Sequence, residues 1–73
     1  MTLREELIEL WDKLEFGVKT RVFEVHSRQK IEYIRKTPNY SEESVIKEII
    51  ECIKEKALEV KEEVNEMYNA ITG

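Results

Sequence analysis

Seventy-three residues with 38% charged side chains, a net charge of −4, two glycines, one proline and one cysteine make at most one domain, spanning 1–73. That inventory excludes an intrachain disulfide and a Cys/His metal cluster, and no apolar run is long enough to span a membrane. A lone cysteine and a Met-Thr-Leu-Arg-Glu-Glu start without a signal-peptide pattern point to the cytoplasm.

Thr2 is a good N-cap, and Glu5 three residues later completes a capping-box pattern. Leu3, Leu7, Leu10, Trp11, Leu14, Val18, Val22 and Val25 then recur at steps of three or four, the spacing of one helical face. This predicts a first helix from about residue 3 to about residue 36. Gly17 and the strand formers of 18–25 oppose it, since a mid-helix glycine costs roughly 1 kcal/mol. A broken version would read helix 3–16, strand 18–25, helix 27–36 and helix 42–72. As a strand, 18–25 would have two mixed faces, whereas helical spacing groups Val18, Val22 and Val25, so the continuous helix is the expectation.

Thr37-Pro38-Asn39-Tyr40-Ser41 is the strongest punctuation, because Pro38 cannot continue a helix and pushes Thr37 out of the helical region. Ser41 reads as the next N-cap. Ile46, Ile50, Ile53, Ala57, Val60, Val64, Met67 and Ile71 then form a narrow seam over about thirty residues, predicting a second helix over 42–72 that ends at Gly73. Two matched amphipathic helices joined by a short loop make an all-α helical hairpin. A chain this small buries little surface alone, so the hairpin is expected to dimerise, into a four-helix bundle. Trp11 is expected in the core, against the far end of the second helix near Val64 to Tyr68.

Charge is unevenly spread. Residues 16–40 carry six lysines and arginines against two glutamates, a local +4, and residues 41–73 carry four lysines against nine glutamates, a local −5. On a continuous helix Arg21, Arg28 and Arg35 are seven apart and share a face, a ladder that a phosphate backbone could follow. The bland alternative is a solvated flank that pairs with glutamates of the second helix. Phe16, Phe23 and Ile34 form a second stripe opposite the first. An exposed stripe of this kind is unusual in a monomer, and it is expected to be covered by another subunit or by a partner. His26 reads as a boundary histidine, and Cys52 as a small apolar residue that widens the core face.

The string Arg21-Val-Phe-Glu-Val-His26 resembles the Arg-x4–6-His motif of HEPN-type ribonucleases at those two positions, with Val22 where those enzymes usually carry a polar residue. No paired carboxylates, phosphate loop or nucleophile signature accompanies it, so the expectation is a non-enzyme, without catalytic residues, metal or cofactor. Residues 20–56 also resemble a ribbon-helix-helix DNA-binding domain. There 20–25 would be the ribbon, 28–36 the first helix, and Asn39-Tyr-Ser-Glu-Glu-Ser-Val-Ile-Lys-Glu-Ile-Ile the turn and second helix. That resemblance implies an α+β dimer with 18–25 as strand. The reading preferred from the residues is a protein-interaction module (a regulator, adaptor or inhibitor) acting as a helical homo-oligomer. The alternative is a nucleic-acid-binding regulator.

Overall fold

Thr2 opens the first helix as its spacing predicts. Its hydroxyl accepts from the Glu5 amide at 3.2 Å, but the reciprocal half of the box differs. The Thr2 hydroxyl donates a hydrogen bond to the Glu5 carboxylate at 3.1 Å. The helix ends ten residues later. In the computed structural model, which describes residues 2–72 and side chains as far as Tyr68, four helices follow one another. They are α1 (Leu3–Asp12), α2 (Phe16–Val25), α3 (Arg28–Lys36) and α4 (Glu43–Thr72). The chain is all-helical among the described residues, and the ribbon expected over 18–25 under the α+β reading is helix α2.

The single helix expected over 3–36 is three short ones, with breaks at 13–15 and 26–27. At the first, the Lys13 and Leu14 amides bond back to the Leu10 and Trp11 carbonyls, and Glu15 turns extended (φ −71°, ψ 153°). At the second, His26 and Ser27 are both extended, and the Ser27 hydroxyl accepts from the Lys30 amide at 3.1 Å. Gly17 is not the breaking residue. It lies inside α2, without a positive φ.

Burial explains the breaks. A straight rod would leave Ile31 and Ile34 on a different face from Leu7 and Trp11. Folded back twice, the arm brings Leu7 and Trp11 of α1, Val18 and Val22 of α2, and Ile31 and Ile34 of α3 into one core with Ile46, Ile49, Cys52 and Ile53 of α4. Fully burying an isoleucine or valine is worth about 1.5–3 kcal/mol, well above the cost of a capped helix end. Ile34 is 0% exposed. Its assignment to an exposed interface stripe is therefore corrected: the second break rotates it inward.

α1 and α4 run in the same direction. Leu3 shares crevices with Ile46 and Ile50, and Leu14 shares one with Val60 and Val64. In a simple hairpin Leu3 would instead lie beside the end of α4. α2 runs back along α4, from Val18 beside Val60 to His26 beside Glu48 and Cys52. α3 crosses α1. The Arg4 guanidinium donates to the Ile34 carbonyl at 3.0 Å and the Arg35 carbonyl at 2.7 Å, adding a second donor to Ile34, which also takes the Thr37 amide at 3.4 Å, and satisfying the Arg35 carbonyl near the end of α3. α4 starts at Glu43, with the Ile46 amide on the Glu42 carbonyl at 3.3 Å, so the cap falls one residue beyond Ser41. Ile71 and Gly73, the expected end of the seam and of the helix, lie outside the described side chains and residues respectively.

Candidate functional site

α4 is thirty residues long, and the three short helices cover only its first part. The turn between α1 and α2 crosses the stripe near Val60 and Val64. Beyond it Val64 and Met67 are 58% and 65% exposed, and Tyr68 is also exposed. The molecule measures 50 × 23 × 18 Å, its long axis matching a helix of this length. Trp11 is therefore not packed on 64–68. It is 3% exposed and lies against Phe23, ring centroids 5.2 Å apart and tilted by 59°. The α1–α2 turn and α4 leave a notch of about 390 Å³ between them, walled by Leu14, Val18, Ala57, Val60 and Val64 with Lys13, Glu15 and Lys61 at its rim.

The arginine ladder is dispersed by the breaks. Arg21, on the α4-facing side of α2, pairs with Glu63 and, at 3.6 Å, with Glu59. The hydrogen bond to Glu63 is the main reason its guanidinium is held above its usual pKa. This is the glutamate-paired flank that the charge distribution allowed. Arg35 pairs with Asp12 at 3.4 Å. Arg28 stacks over the Phe23 ring at 5.0 Å, an aromatic contact absent from the expected ladder, and Lys19 lies over Trp11 at 5.6 Å. Trp11, Phe16, Lys19, Phe23, Arg28, Glu32 and Arg35 together wall a groove of about 370 Å³ on the α1–α2–α3 face. Of the expected stripe, Phe16 is 81% exposed at the groove's edge, and Phe23 is half-buried within it. No local pattern announces this groove, because each cation and its ring come from different helices or turns.

Arg21 and His26 take different partners. His26 Nδ1 lies 3.2 Å from the Lys30 ammonium. Partial burial and that ammonium lower its pKa, with Glu48 opposing. Cys52 is buried, and burial raises its thiol pKa. His26, Cys52, Glu48, Glu51 and Glu55 border one crevice. No group of three or more His, Cys, Asp or Glu placed to hold a metal ion occurs among the described residues. No described helix is long and apolar enough to cross a membrane. No protein-family model matches the chain, and neither a curated protein nor a solved structure does.

Proposed function

We propose that this chain is a small non-enzymatic protein-interaction module that works as a homo-oligomer. The observation that carries this reading is the exposed apolar stretch of α4 at Val64 and Met67. The same stripe that forms the core between Ile46 and Ile53 continues outward through Val64 and Met67, which are both more than half exposed. A helix end with an open apolar stripe is stabilised by tertiary packing rather than by propensity, and packing there requires another molecule. The chemistry of the titratable groups points the same way. Cys52 is buried, which raises its thiol pKa, and Arg21 is committed to glutamates. Sedimentation equilibrium tests the reading. The wild-type chain is expected as a dimer or larger, and the pair Val64→Glu with Met67→Glu as a monomer that keeps its helicity. A fully helical wild-type monomer at micromolar concentration would overturn the proposal.

A second reading, nucleic-acid binding, rests on Lys19 and Arg28. Neither makes an ion pair among the described residues, and both border the aromatic groove. Against it, Arg21 and Arg35 already pair with carboxylates, Glu32 stands in the groove wall, and the buried Trp11 offers no face for a base. Electrophoretic mobility shifts at low salt decide it. Binding that falls steeply with salt and is lost in Arg28→Glu would establish this reading.

A further inference from the structure

We propose that the notch between the α1–α2 turn and α4 is filled by the α4 end of a second copy of this chain, in an antiparallel two-fold pair. This rests on the self-association reading above and names its geometry. The notch and the uncovered residues belong to one continuous stripe. Ala57, Val60 and Val64 form the notch's α4 wall, and Val64 and Met67 continue out of it. A contact that places Met67 of one copy in the notch of another therefore places the second copy's Met67 in the first copy's notch. One symmetric contact covers both features in both chains, and it closes on itself. A foreign helix would cover one stripe and gain no such reciprocity.

Charge selects the side. By 3.6-residue geometry Glu59, Glu63 and Glu66 lie on one flank of the stripe, and Lys61 and Asn65 on the other. The notch opens on the Lys61 and Asn65 flank. In an antiparallel pair each flank meets its own counterpart, so a seam on the acidic flank would set glutamates against glutamates. A seam on the notch side leaves that flank facing solvent and its own Arg21, which holds Glu59 and Glu63. With the axis near Val64, Lys61 lies opposite Met67 and Tyr68 of the second copy, where its aliphatic stem can cover them.

Cross-linking between two distinguishable chains tests the pairing. Both carry Cys52→Ala; one carries Leu14→Cys and the other, of different mass, Met67→Cys. After mixing, a short bis-maleimide is expected to join Leu14→Cys to Met67→Cys, a product that can only form between chains. Val64→Glu is expected to weaken the dimer at least about tenfold, because it places a carboxylate in an apolar seam. If Leu14→Cys loses helicity, Lys13→Cys on the exposed notch rim takes its place. Cross-linking of Met67→Cys only to itself, or no cross-link while the chain sediments as a dimer, overturns the pairing and leaves self-association standing. A wild-type monomer overturns both.

Discussion

The two halves of α4 are built on one repeat and live in different surroundings. From Ile46 to Ile53 the stripe is made of isoleucines, at most 1% exposed at Ile46, Ile49 and Ile53, and covered by three helices of the same chain. From Ala57 to Met67 it is made of alanine, valine and methionine, and it passes from half-buried to exposed. Periodicity states that a face needs a partner. Residue identity says what kind. Bulky isoleucines fill one fixed core, whereas the smaller alanine and valines and the flexible thioether of Met67 leave more of the backbone and stripe open to contact. The covered half belongs to the domain core, and the exposed half is the surface on which the proposed self-association rests.

The sharpest way to break this comparison is to truncate the stripe in each half. Ile53→Ala is expected to cost about 2–5 kcal/mol of folding stability, the range for a buried large-to-small change. Met67→Ala is expected to stay within about 0.5 kcal/mol in the dilute chain, as exposed positions do. Urea unfolding of both at low protein concentration checks this, and equal losses would erase the distinction between the halves.

The covered half depends on the arm that covers it, and the arm depends on Arg4. Replacing Arg4 by Met removes two charge-assisted hydrogen bonds to the Ile34 and Arg35 carbonyls and keeps much of the stem. A loss of about 1.5–3 kcal/mol is expected by the same measurement. A neutral result would mean that water caps α3 equally well. In the opposite direction, Gly17→Ala should stabilise the arm by about 0.5–1 kcal/mol. Gly17 has an ordinary backbone conformation, and an added Cβ meets nothing within 4 Å. A decrease in stability would place something against α2 that the single chain does not show.

The smallest expected effect is on pH dependence. His26 sits where the end of α2 meets the middle of α4, and its folded pKa lies below its unfolded one, first through burial and then through Lys30. The unfolded chain therefore takes up this proton first as pH falls. Stability from this site is full above the usual histidine pKa, declines as pH drops through it, and levels off below the lowered folded value. His26→Gln should flatten that part of the stability–pH curve. An unchanged slope would assign it to other groups.

Much of the fold was legible. The Thr37–Pro38 punctuation, the Thr2 cap and the long last helix come from local chemistry, and the structure shows them within a residue or two. The seam was legible only in part: Ile49, outside the expected stripe, is buried, Ile50 is half-buried, and Val64 and Met67 are exposed. The break at 13–15 was not legible, since Lys13-Leu14-Glu15 contains no glycine or proline and each residue is a fair helix former. The second break left a signal in Ser27, an N-cap that the continuous-helix reading passed over. Missing both breaks put Ile34 on the wrong face and kept the three arginines in line. Arg4 carried no signal at all, because its acceptors are backbone carbonyls, which every sequence possesses.

Those carbonyls also set an order of events. Arg4 reaches acceptors thirty and thirty-one residues further along the chain. No nascent or fragmentary arm that stops before α3 can make this contact. α1 and α2 can each wind on their own within microseconds, but the clamp between the first turn of α1 and the last turn of α3 requires a loop of that size to close. It is expected to form after the rate-limiting step, once both helices are in place. A weakening of Arg4 should appear mainly as faster unfolding, with the folding rate little changed.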